Sequence, residues 1–320
     1  MLKFRIAGLL ALYGSTLPMA RSALPPEARI FAPGVISGPA NDGSPTFSPD
    51  GKALFFTRYA GHWSVILQSH MDGGKWSEPV VAPFSGHWPD SAPAWSPDGR
   101  YIIFVSTRPK VPLKQTPRTG EPIPGIVSNL WRVDVSSTGW SEPTRLPDEV
   151  NISAAIFKPS VAGNGDVFLT LIGPGSAKSI YWSRWKNGAY QQATLLPFSN
   201  GSKLDVDPEV APDESFLVFS SAGRIEDDSH ERLFLVKREG DGWSAPALIR
   251  YKDDVTKYGA STDNEPKLGR DGTTLYFSSD RTELTHFPRS SADAARDLER
   301  LNSWDNSNSN VWMITLKALL

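Results

Sequence analysis

Pro45-Thr46-Phe47-Ser48-Pro49-Asp50-Gly51 returns almost unchanged as Pro93-Ala94-Trp95-Ser96-Pro97-Asp98-Gly99. Weaker copies follow at Pro208-Glu209-Val210-Ala211-Pro212-Asp213 and at Pro266-Lys267-Leu268-Gly269-Arg270-Asp271-Gly272. The stretch Ala155-Ile156-Phe157-Lys158-Pro159 fills the gap between them as a degenerate fifth copy. Intervals of about 50–60 residues belong to propellers and solenoids. Within each copy Pro presets φ for the first central turn position, Asp favours the second, and Gly suits the position after them. An apolar, β-prone run comes directly after: Leu54-Phe55-Phe56, Ile102-Ile103-Phe104-Val105, Phe216-Leu217-Val218-Phe219 and Leu275-Tyr276-Phe277. Every copy therefore opens with a β-hairpin.

Two further strands complete each unit. A third carries an aromatic in all five copies, at Trp63, Trp131, Tyr181, Phe234 and Trp312, and these are expected to be buried between units. A fourth is introduced by Trp76-Ser77-Glu78-Pro79, Trp140-Ser141-Glu142-Pro143 and Trp243-Ser244-Ala245-Pro246, with Tyr190 in the degenerate copy. Four antiparallel strands make a propeller blade. The sequence thus predicts an all-β, five-bladed β-propeller rather than a six-bladed one. After Trp312 too few residues remain for a fourth strand, and a spare extended segment, Ala28 to Ile36, precedes the first copy. That segment is expected to complete the last blade and close the ring, which leaves only short edges.

The pattern Pro-x-aromatic-Ser-Pro-Asp-Gly-x-x-hydrophobic-x-Phe, clearest at residues 45–56 and 93–104, resembles the WD-repeat-like propeller repeat of the TolB type. Asn264-Glu265-Pro266 through Asp280-Arg281 fits it equally well. The resemblance covers nearly the whole chain and implies the propeller fold. TolB pairs a six-bladed propeller with a separate domain, whereas five blades and no second domain are expected here.

Composition narrows the function. A formal net charge of -2 gives no basic field for nucleic acid. With no cysteine there are no disulfides, thiolate metal sites or lipidated cysteine. Lys3 and Arg5 precede an apolar run from Ile6 to Leu17, and the small residues Ala20, Ser22 and Ala23 follow. That order is a secretory signal peptide over residues 1–23, with a buried first helix as the alternative. The run is too short to span a bilayer. The expectation is a single domain over residues 24–320, periplasmic or secreted, with no transmembrane segment in the mature chain.

Alternating strands put the Pro-Asp-Gly hairpins on one face and the irregular connections on the other. Variable loops on a rigid scaffold are where function concentrates. Two insertions mark the second face: the proline-rich 109–128, and 282–309, in which Ser290 and Ser291 cap a short helix running to Leu301. Asp42, Asp90, Asp205 and Asp263 stand at one repeat position there, with Ile152 in the degenerate blade, and Asp207 and Glu265 follow. Arg108, Arg224 and Arg281 leave the second strands onto the same rim, with Arg58 less well aligned. Trp88 and Trp304 fall outside the repeat positions and suit a ligand-stacking surface. His62 and His87 are a weak metal signal, and Gly163-Asn164-Gly165 reads as a hairpin insertion.

A repeated Asp is also a common turn device. The first functional expectation is a non-catalytic module. It would bind an envelope or extracellular protein, a peptide or a glycan through Asp42, Asp90, Asp205, Asp263, Glu265, Arg108, Arg224, Arg281 and Trp88. The alternative is a glycoside-processing enzyme using paired channel-mouth carboxylates. No cofactor is called for, and a channel-bound cation such as calcium is compatible with either.

Overall fold

The computed structural model describes residues 25–110, 127–137, 139–173, 177–252 and 255–317. The expected signal segment and most of the first insertion lie outside these residues. Five antiparallel sheets stand in a ring, each with its first strand innermost. The inner strands are Asn41–Phe47, Asp90–Trp95, Ile156–Val161, Leu204–Val210 and Asp263–Leu268. Each touches the next, and the fifth returns to the first. This is a five-bladed β-propeller. Among the described residues, five apolar clusters fill the five seams between blades. The cluster joining blades 5 and 1 sets Val311 and Tyr276 against Phe47, Leu54 and Phe56.

The ring closes through Arg29–Ile30, which pairs antiparallel with Asn310–Thr315, Ile30 opposite Trp312. The first described strand thus serves as the fourth strand of the last blade.

The hairpins follow the turn chemistry of the sequence. Ser48 N–H donates to Ala53 O and Gly51 N–H to Ser48 O, both at 2.8 Å, while Asp50 Oδ1 accepts from Lys52 N–H at 3.0 Å. Gly51 and Gly99 hold φ of 71° and 78°, where an L side chain is strained. Blade 3 corrects the sequence alignment. Ala162 N–H donates to Asp166 O, Gly165 N–H to Ala162 O, and Asn164 Oδ1 accepts from Asp166 N–H. Gly163-Asn164-Gly165 is therefore the Pro-Asp-Gly turn itself rather than an insertion. Pro159, not Ala155, takes the place of Pro45, and Ile156, not Ile152, takes the place of the missing aspartate.

The aromatic set needs one correction. Trp131, Tyr181, Phe234 and Trp312 are buried opposite Phe104, Leu169, Phe219 and Phe277. In blade 1 the matching partner of Phe56 is Leu67, while Trp63 is 47% exposed. There the second and third strands join through Gly61 and His62 alone, so the pairing runs on and carries Trp63 past the core. The predicted short helix is Ser291–Arg300, with Ser290 and Asp293 forming a capping box.

One irregularity aims residues at the axis. A β-bulge interrupts every inner strand: between Gly43 and Thr46, Ser91 and Ala94, Phe157 and Pro159, Val206 and Glu209, and Asn264 and Lys267. Ser44, Ala92, Asp207 and Glu265 sit in these bulges at φ of 50°, 49°, 56° and 51°. The proline that follows has no N–H to give a ladder, which suits a bulge.

Candidate functional site at the channel mouth

The four repeated aspartates are each fully buried at the head of an inner strand. Each holds an arginine of its own blade. Asp42 takes Arg58 Nε and Nη2 at 2.8 and 2.9 Å. Asp205 takes Arg224 at 2.9 and 2.7 Å. Asp90 meets Arg108 at 3.1 Å, and Asp263 meets Arg281 at 2.9 Å. Arg108 and Arg224 also donate to Phe84 O and Phe198 O at 2.6 and 2.9 Å, tying in the connection from the preceding blade. Burial raises the carboxyls of Asp42 and Asp90 above their ordinary value, opposed by their arginines. The ring of equivalent positions is thus four buried aspartates, each paired with an arginine, plus Ile156 in blade 3. Arg58 belongs to it as fully as the other three arginines.

Two residues further along, the inner strands reach an open pocket of about 300 Å³ on the insertion-bearing face. Its walls include Tyr59, Ser64, Thr107, Ser128 and Phe157, and its charged groups are Lys158, Asp207 and Glu265 from blades 3, 4 and 5. Glu265 is the most constrained. Its Oε1 accepts from Ser44 Oγ at 2.6 Å and Tyr59 Oη at 2.8 Å, and its Oε2 from Ser44 N–H at 2.8 Å and Ser278 Oγ at 2.6 Å. Its carboxylate lies so close to blade 1 that a Cβ on Gly43 would meet Oε2 at 2.2 Å. Gly43 is therefore required by the site rather than by a turn.

Asp207 is anchored through its N–H to Thr170 Oγ1 at 2.8 Å. Burial, and then the charge of Glu265, push its carboxyl up to about 7, with Lys158 opposing. Burial lowers the Lys158 ammonium, while Glu209 and Asp207 resist that shift. Its Nζ donates to Pro266 O, across the axis in blade 5. Burial and Glu265 together hold the Tyr59 hydroxyl well above its usual range. Such perturbed groups in a concave site mark a functional candidate.

Of the residues singled out in the sequence, Asp207 and Glu265 line this pocket. Trp88 is half-buried next to the lining residue Pro89. Trp304 packs edge-on against Trp312 at 5.5 Å. His62 and His87 are exposed, and no metal-holding group of three or more His, Asp or Glu occurs among the described residues. Lys158, Tyr59 and Phe157 are additions. A lysine inside an apolar inner strand was the available signal for the first of them.

No family model and no curated protein matches the chain. Solved structures resemble it in fold. TolB from Acinetobacter baumannii aligns over 87% of this chain at 12% identity with a TM-score of 0.47, and the chain spans only 55% of its length. An α-L-arabinofuranosidase from Lactobacillus brevis aligns over 88% of this chain and 92% of its own, at 12% identity and a TM-score of 0.50. A Dyadobacter fermentans protein of unknown function gives 13% identity over 90% and 98%, with a TM-score of 0.47. At such identities the likeness concerns the propeller alone.

Proposed function

We propose that this protein is an exported, non-catalytic binding propeller whose ligand enters from the insertion-bearing face and is held over Lys158, Asp207 and Glu265. The observation that carries this is the convergence of three charged groups, buried Lys158 and half-buried Asp207 and Glu265, from three blades in one open pocket on the ring axis. Polar groups at fixed positions in a rigid concavity orient a ligand without needing to react with it. The ligand class is a polar group of an envelope or extracellular protein, a peptide or a glycan. Export rests on the charged, apolar and small-residue order of residues 1–23. Among the described residues no helix is long and apolar enough to cross a membrane.

Hydrolysis is less well supported. Asp42, Asp90 and Asp263 are enclosed in ion pairs. Glu265 spends its lone pairs on four donors, which leaves it poorly placed as a nucleophile or proton donor.

The test is a thermal-shift and calorimetric screen of the mature protein against calcium, envelope peptides and glycans. A ligand at a hundred times its Kd should add about 2.7 kcal/mol of stability. Lys158→Met and Asp207→Asn should each abolish that gain. Gain retained in both variants, or turnover of an aryl glycoside, would overturn the assignment. Mass spectrometry should find the mature N-terminus near Leu24, and retention of Met1 would refute export.

A further inference from the structure

The hairpin face also carries a cavity, larger than the first, of about 410 Å³. That lies inside the range of small-molecule sites, about 300–1,000 Å³. Its wall is built from one repeat position in each blade: Phe47, Trp95, Val161, Val210 and Leu268. Phe216 extends the apolar wall on the blade 4 side.

Its floor is an ion pair with a surplus of donors. Glu209 Oε1 accepts from Lys267 Nζ at 2.9 Å and from Leu268 N–H at 3.1 Å, and Oε2 accepts from Ser160 Oγ at 3.0 Å. Both oxygens of Glu209 are therefore engaged. Lys267 has three N–H donors, and among the described residues Glu209 takes one of them. Lys158 acts on Glu209 from deeper in the channel. An entering ligand meets the apolar side chains of that wall and, at the bottom, the remaining donors of Lys267.

We propose that this bowl is a second binding site, for a compact apolar carboxylate, with the carboxylate on Lys267 and the apolar body against Phe47, Val210, Phe216 and Leu268. A free small acid and the C-terminal residue of a peptide share that chemistry. The site lies at the opposite end of the channel from the first pocket.

The test is calorimetry on the intact chain with 3-phenylpropionate, 3-phenylpropionamide, Gly-Gly-Phe and Gly-Gly-Phe-amide. Each acid should bind about tenfold or more tightly than its amide, since a charge-assisted pair is lost in the amide. Lys267→Gln should erase that preference. Ser215→Trp places a ring at the exposed rim, where Ser215 lines the bowl. It should weaken acids and amides alike by about tenfold or more. Tighter binding of the tripeptide than of 3-phenylpropionate assigns the site to chain ends, and the reverse order to free acids. If Lys267→Gln fails to fold, the acid-to-amide ratio and Ser215→Trp still decide. No binding by any probe at millimolar concentration, equal affinity for acid and amide, or indifference to Ser215→Trp would each overturn the proposal.

Discussion

At the insertion face the inner strands of blades 3, 4 and 5 bring Lys158, Asp207 and Glu265 to one pocket, and two residues later the same strands bring Glu209 and Lys267 to the other, with Ser160 bonded to Glu209. A strand period of two keeps both sets on one side of the sheet. Between the members of each pair stands a proline: Pro159, Pro208 or Pro266. The first set places two acids against one another, and Asp207 answers by holding its proton up to about pH 7. The second set pairs its acid with a lysine at 2.9 Å. One mouth therefore sets two acids beside a lysine, with one acid keeping its proton, and the other holds a settled ion pair. A single repeat can supply two unlike sites because the residues it leaves variable are those facing the channel.

Both mouths depend on the closed ring, so the largest effect should come from opening it. Deleting residues 25–37 removes Ile30 from the seam between blades 4 and 5, and Phe31 and Ile36 from the seam between blades 5 and 1. Each such side chain contributes about 1.5–3 kcal/mol when fully buried. A loss of at least about 4 kcal/mol is expected, with ligand binding lost at both ends together. An unchanged melting temperature would contradict the closure. Next, Trp131→Ala should cost about 3–5 kcal/mol, the usual range for a buried large aromatic. Denaturant unfolding would measure it, and a loss below about 1 kcal/mol would place Trp131 outside the core.

Asp90→Asn combined with Asp263→Asn separates a supporting ring from a binding one. Each change replaces the charged acceptor of a buried arginine by a neutral one, so about 2–4 kcal/mol should be lost in total. Binding at the insertion-face mouth should survive, because these carboxylates are buried and committed to their arginines. Loss of binding with stability intact would return the ring to the binding surface.

Asp207→Asn should act with the opposite sign. The folded-state pKa of Asp207 is raised, so between 3.8 and about 7 the native protein holds a proton that the unfolded chain has released. Wild-type stability therefore falls as pH rises through that window, by at most about 1.4 kcal/mol per pH unit from this group. Asparagine cannot ionise. The variant should match wild type near pH 4 and exceed it at pH 8, while the hairpin-face bowl is unaffected. Parallel pH profiles for the two proteins would refute the coupling. Smallest of all, Trp63→Ala should change stability by less than about 1 kcal/mol, since its ring lies half in solvent.

The architecture was legible because turn chemistry is local. Pro, Asp and Gly act within four residues, and copies of that signal fix the blade count whatever packs around them. The closing strand was legible by subtraction, since blade 5 ends after Trp312. Register within the weakest copy was not. Asn164 does the work of Asp in the turn, and without proline or aspartate the copy drifted by four residues, misplacing Ile152 for Ile156. Trp63 misled for a related reason, because the length of one hairpin decides which residue reaches the seam. The pocket was half visible. Asp207 and Glu265 could be placed near the channel, but Lys158, Tyr59 and Gly43 matter through contacts between blades distant in sequence. The arginine partners were found on the right rim, although the sequence could not show that pairing would seal the aspartates away from it.

The strand Arg29–Ile30 has a further consequence, one of timing. It lies among the first parts of the domain to be synthesised, and its partner Asn310–Thr315 among the last. Nearly the whole chain must emerge before this segment can pair. It waits as a short stretch interrupted by Pro25, Pro26 and Pro33, a composition that discourages premature sheet formation with the wrong neighbour. Contacts of such separation slow folding, because loop closure must precede any gain from them. Refolding should therefore assemble the early seams before the last one. A chain stalled just short of Asn310 would carry four finished blades and an unmatched beginning, in the condition of a clasp whose other half has yet to be made.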